Sequence, residues 1–108
     1  METLETLAGA QDLIAHEKML LLYLSRPDCG VCTAIKPKVE EMLSRYPKIR
    51  SGYIDLDQLP AAAGEFSVFT IPAVLVYTDG KESVREARYI SMEPLEEKIR
   101  RPYELLFD

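Results

Sequence analysis

The sequence predicts an α/β fold: a central mixed sheet of four or five strands with helices on both faces, forming one domain over residues 1–108. Three observations predict it. A continuous apolar run, Met19-Leu20-Leu21-Leu22-Tyr23-Leu24, gives way after a short break to a segment with helical apolar spacing. Strand-like and helix-like segments then alternate, the pattern of parallel strands joined by right-handed crossovers. Finally, Asp79-Gly80 is a tight hairpin signal, which adds an antiparallel strand and makes the sheet mixed.

Taken in order, Leu4, Leu7, Ala8, Leu13 and Ile14 suggest a first helix, broken near Gly9. Met19 to Leu24 has the length of a strand buried on both faces. Arg26-Pro27-Asp28 ends it, because Pro27 cannot extend a central ladder and pushes Arg26 toward extended geometry. A helix follows from Gly30 to Tyr46, with Ile35, Val39, Met42, Leu43 and Tyr46 on one apolar face and Lys38, Glu40, Glu41, Ser44 and Arg45 on the other. Pro37 lies inside this pattern and is expected to kink it. Pro47 closes the helix, and Ile49 to Leu56 reads as a second strand.

Residues 61–66, Ala-Ala-Ala-Gly-Glu-Phe, read as a short helix, and Ala73 to Tyr77 as a third strand. After the hairpin, Glu82 to Ile90 returns as a fourth. Ser91 is a plausible N-cap for a final helix that tolerates Pro94 in its first turn, buries Leu95 and Ile99 with help from the Lys98 stem, and stops at Pro102. Tyr103 to Phe107 is left as an apolar tail, read either as padding for the core or as a contact for a partner.

Composition narrows the function classes. Apolar residues make up 47% of the chain, enough for a real core. The formal net charge of −5 argues against nucleic acid, whose phosphates call for clustered Lys and Arg; Arg100-Arg101 reads as a solvated helix end. The longest apolar run is far short of the ~20 residues a membrane helix needs. Met1-Glu2-Thr3-Leu4-Glu5 is acidic, without the basic start and apolar run of a secretory signal, so a cytoplasmic location is expected.

The chemistry concentrates in Cys29-Gly30-Val31-Cys32, which holds both cysteines of the chain. It sits between the first long strand and the second helix. Thiols three residues apart at a helix start can close a small disulfide ring. The unpaired N–H groups and positive dipole end there also stabilise a thiolate. One segment thus offers a nucleophile, a resolving thiol and a two-electron store. Other readings of the pair are inert core thiols, which polar Asp28 and Gly30 argue against, and a metal site. Tetrahedral zinc wants four ligands, and the single His16 lies far off in a polar stretch; a site within one chain would need carboxylates, and two chains could pool four thiols around a metal or cluster.

With the strand–CxxC–helix seam, Pro37 five residues after Cys32, Thr70-Ile71-Pro72 before the third strand, the Asp79-Gly80 hairpin and the final helix, the chain resembles the thioredoxin family over nearly its whole length. The resemblance implies the thioredoxin fold and a thiol–disulfide oxidoreductase without a cofactor. Cys29 would be the exposed nucleophile that forms a mixed disulfide, and Cys32 the thiol that resolves it. Pro72 would be a cis-proline facing the cysteines, although read alone it also suits a trans proline at a strand start. Ile71 would hold a substrate chain through its backbone as an added strand. Implied partners are a disulfide-containing protein or small molecule and an electron donor, either a reductase or a low-molecular-weight thiol. A monomer suffices.

Departures from the family pattern are equally informative. The acidic residue six positions before the first cysteine is here Tyr23, a poor base at neutral pH. Its usual lysine partner aligns with Tyr53, and the tryptophan before the first cysteine with Asp28. Asp28 disfavours a Cys29 thiolate by like-charge repulsion, which Arg26 would oppose if its side chain folded back. Arg88 stands where a glycine usually forms a flat wall of the docking face. Arg88 and Tyr89 either narrow and charge that face or are ordinary strand residues. The competing functions are a disulfide reductase of narrow range, a non-catalytic adaptor docking through the Cys29/Pro72 face or the tail, and a metal- or cluster-binding dimer.

Overall fold

A strand can be apolar at every position only if both of its faces are covered, and Met19–Ser25 is buried at every residue. The computed structural model describes residues 1–107. In chain order these form β1 (Glu2–Thr3), α1 (Leu7–His16), β2 (Met19–Ser25), α2 (Gly30–Leu43), β3 (Arg50–Asp55), α3 (Ala61–Glu65), β4 (Ala73–Thr78), β5 (Lys81–Ala87) and α4 (Met92–Phe107). The sheet has five strands in the order β1-β3-β2-β4-β5. β1 and β2 run parallel to β3, whereas β4 is antiparallel to both β2 and β5. The expected mixed α/β sheet is therefore present, with five strands.

Alternation along β2 divides the core. Met19, Leu21 and Tyr23 face Val39 and Met42 of α2 and Leu95 and Ile99 of α4. Leu20, Leu22 and Leu24 pack on the opposite side with Ala10 of α1 and Ala62 of α3. Each fully buried Leu contributes on the order of 1.5–3 kcal/mol of transfer free energy, so this strand anchors both layers. Gly52 of β3 permits the edge pairing with β1, because a Cβ there would lie 2.6 Å from the Leu4 Cδ1. Asp79 and Gly80 both have positive φ, 50° and 81°, as a two-residue hairpin turn demands.

Several elements differ from their expected bounds. Gly9 does not break the first helix. It lies in the first turn of α1, where its N–H donates to the Thr6 N-cap hydroxyl at 2.9 Å. Leu4, read as part of that helix, precedes its start at Leu7, and a two-residue edge strand, β1, lies before it. α2 ends at Leu43, three residues before Tyr46. β5 ends at Ala87, because Arg88 turns the chain with φ 67°. Pro102 does not stop the last helix: α4 continues through it to Phe107. The reason is packing. Tyr103 meets Tyr46 edge-on at 5.0 Å, and Tyr103, Leu106 and Phe107 all lie against the core, offsetting the lost backbone bond. The residues read as a tail are thus helical, with Tyr103, Leu106 and Phe107 against the core and Leu105 exposed. Among the described residues no helix is long and apolar enough to cross a membrane.

Candidate active site

β2 leads directly into the site. After Ser25 the chain turns through Arg26-Pro27-Asp28, the Cys29 N–H donating to the Arg26 carbonyl at 3.2 Å. Cys29 is the N-cap of α2, in extended geometry (φ −91°, ψ 107°). Its Sγ accepts the Cys32 N–H at 3.2 Å, and its carbonyl accepts both the Thr33 N–H at 3.0 Å and the Thr33 hydroxyl at 3.1 Å. Cys29 and Cys32 are joined as a disulfide across a Cα–Cα distance of 5.2 Å. The two sulfurs differ in access: Cys29 is half-buried, and Cys32 is only 2% exposed. The outer sulfur occupies the one cap position whose N–H groups and dipole favour negative charge.

The ends of β4 and β5 complete the face. Leu24 pairs with Ala73, and the same register continued by one residue sets Pro72 beside Ser25. The Ile71–Pro72 peptide is cis. The N–H of Arg88 donates to the Pro72 carbonyl at 2.7 Å, fixing the end of β5 to this loop. Neither the N–H nor the C=O of Ile71 has a backbone partner among the described residues. Pro72 and Arg88 thus sit at the end of the sheet from which α2 departs, next to Ile71; Asp28 adjoins Cys29 and is exposed.

Beneath the disulfide the interior is built from tyrosines. Tyr23 is fully buried, and its hydroxyl donates to the Cys32 carbonyl at 2.6 Å. Burial first, and then the neighbouring Tyr53, push the Tyr23 pKa up to about 12. It is therefore a neutral donor that ties β2 to the resolving cysteine's backbone. Tyr53 stacks on it at 6.3 Å, accepts the Ser25 hydroxyl at 3.1 Å, and carries the Lys36 ammonium 4.7 Å over its ring. A cleft of about 380 Å³ opens here, lined among others by Cys32, Lys36, Pro37, Glu40 and Tyr53. Pro37 lies inside α2 and has no N–H to donate to the Thr33 carbonyl.

Arg26 does not fold back on Asp28. It pairs with Asp57 at 3.3 Å, an acid that follows β3. Asp28, exposed and next to Cys29 in the chain, therefore has no ion pair among the described residues. Nor do the described residues contain a cluster of three or more His, Cys, Asp or Glu side chains that could hold a metal ion. His16 contacts Asp12, four residues earlier in α1.

Sequence reasoning missed two features of the site. Lys36 lies one helical turn beyond Cys32 and was masked by the α2 periodicity. Phe69, two residues before Ile71, is 83% exposed. With Val31 between the cysteines and Tyr89 after Arg88, it brings three of the four exposed large apolar side chains within two residues of a site residue. Exposure of this kind leaves no periodic signal in a loop.

A five-stranded mixed sheet flanked by helices, with a CxxC pair at a helix start and a cis-proline loop beside it, defines a thioredoxin-fold protein carrying a redox-type cysteine pair. The sequence profile of the thioredoxin family matches residues 4–101, and the chain belongs to that family. It is 41% identical over 105 residues to the thioredoxin-like protein YdfQ of Bacillus subtilis, covering 97% of this chain and 94% of that protein. Similarity to thioredoxin-2 of Pyricularia oryzae is 32% over 83 residues, 74% of this chain and about half (48%) of that longer protein. Among solved structures, the thioredoxin of Fasciola hepatica superposes with a TM-score of 0.82 at 29% identity, covering 93% of this chain and 98% of that one. Family and cysteine pair together support thiol–disulfide oxidoreductase chemistry in general.

Proposed function

We propose that this protein is a disulfide reductase working through reversible oxidation of Cys29 and Cys32. The observation that carries the reading is the asymmetry of the pair: Cys29 is partly exposed at the N-cap of α2 and Cys32 is buried one turn in. In the reduced protein, the Cys29 thiolate attacks one sulfur of a substrate disulfide. A Cys29–substrate disulfide forms, and the first substrate thiolate leaves and takes a proton from water. Cys32 then gives up its proton to water, and its thiolate attacks the Cys29 sulfur. The Cys29–Cys32 bond forms as the second substrate thiolate leaves. Two electrons pass to the substrate, and a dithiol reductase or low-molecular-weight thiol restores them.

The docking face of this reading is Ile71, Pro72, Asp28 and Arg88. Free backbone groups at Ile71 suit an extended substrate segment added as a strand. One chain is the working unit, in a reducing compartment such as the cytoplasm. Multiple-turnover reduction of a peptide disulfide with dithiothreitol as donor tests the proposal. The wild type should turn over above the uncatalysed rate, Cys29→Ser should not, and Cys32→Ser mixed with the peptide disulfide without dithiothreitol should accumulate a Cys29 mixed disulfide visible by mass. A wild type no faster than Cys29→Ser would leave an adaptor that merely keeps the cysteines.

A further inference from the structure

Arg88 adopts φ 67°, a backbone region that L side chains other than Asn and Asp rarely enter and that glycine enters freely. Among the described residues the other non-glycine residues with positive φ are Ser67 and Asp79, whose short polar side chains suit turns. Arginine gains no comparable local bond here. Its N–H is instead held by the Pro72 carbonyl at 2.7 Å, which sets the residue against the loop beside the disulfide. The side chain is exposed, and its guanidinium lies 5.4 Å over the Tyr89 ring. An aromatic face held against the plane of a guanidinium leaves the N–H edges free to donate.

Those donors are uncommitted. Arg26, Arg45, Arg50, Arg85 and Arg100 each hold a carboxylate, whereas Arg88 and Arg101 hold none among the described residues, and of these two only Arg88 lies beside the cis-proline loop. A strained backbone that presents an unpaired, ring-supported cation beside a reactive site points to a binding role. Resting on the reductase reading above, we infer that Arg88 is a specificity residue that selects disulfides whose cysteine is flanked by a carboxylate, an Asp or Glu side chain of the substrate. The planar fork grips such a group in a bidentate pair. The whole chain is acidic, with net charge −5, so its overall field repels acidic partners. A preference for them has to be local, and Arg88 is where it arises. Asp28, exposed and adjoining Cys29, acts in the opposite sense on a carboxylate that passes it.

The test uses the full chain, dithiothreitol as donor, and three disulfide peptides that differ only in carrying Glu, Gln or Lys beside the cysteine. Wild type should show kcat/KM for the Glu peptide about tenfold above the Gln peptide, as loss of one charge-assisted hydrogen bond implies. The ratio should shrink as salt is raised. In Arg88→Gln and Arg88→Gly the Glu and Gln values should converge; the second substitution suits the observed φ and guards against misfolding of the first. Arg88→Lys should keep part of the ratio. Equal rates for the Glu and Gln peptides in wild type, or a ratio that survives in Arg88→Gln or Arg88→Gly, would overturn the inference while leaving the reductase reading intact. No reduction of any peptide by wild type would overturn both.

Discussion

Tyr23 carries the clearest physical signature of any single side chain. An unfolded tyrosine loses its proton near pH 10, whereas folded Tyr23 keeps it to about 12. Between those values the folded state binds more protons than the unfolded one, so stability falls as pH rises through the window. The contribution is fully present below pH 10 and lost above about 12; two pKa units amount to about 2–3 kcal/mol. Tyr23→Phe should cost about 1 kcal/mol at neutral pH, through loss of the bond to the Cys32 carbonyl. It should also remove this alkaline slope, so that chemical denaturation finds the two proteins closer at about pH 11 than at pH 7. An unchanged gap would mean that Tyr23 is not the buried donor described. The position was legible in the sequence as a lost base. Its replacement role was not, because a hydroxyl bond to a helix carbonyl nine residues away depends on how α2 lies on the sheet.

At the scale of elements, α4 poses the sharpest question. It runs through Pro102 at the cost of a backbone hydrogen bond to the Lys98 carbonyl. Pro102→Ala should restore that bond and raise stability by about 1–2 kcal/mol, the gain partly offset by a more flexible unfolded chain. Destabilisation would instead show that the proline's bend aims Tyr103 at Tyr46. Reading the helix as ending there followed local rules correctly; what overrode them was the contact of Tyr103, Leu106 and Phe107 with the core, made by residues about 60 positions apart. β2 could be read because burial on both faces leaves an uninterrupted apolar run, and the hairpin because Asp-Gly suits its turn. β1 could not, since two residues carry no period. The Arg26–Asp57 pair also escaped, because it joins the loops after β2 and β3, which only the parallel register brings side by side.

Over the whole molecule, the fold places one end of the central strands, the start of α2 and the cis-proline loop together, and the cysteine pair lies at that junction. This much was legible as spacing: CxxC, a proline five residues on, and Ile-Pro 40 residues later. Of the exposed apolar side chains around it, Tyr89 was legible as one of two readings, but the exposure of Val31 and Phe69 was not, since only the folded surface distinguishes an exposed apolar side chain from a buried one. The central claim is that Cys29 and Cys32 form a reversible two-electron store. The measurement that tests it most directly is a redox titration in thiol buffers, with free thiols trapped by a mass tag at each potential. The account predicts one two-electron transition, both thiols appearing together, at roughly −200 to −270 mV, the range of reducing oxidoreductases of this kind. A pair that stays reduced across the buffered range and closes only under harsh oxidant would contradict it.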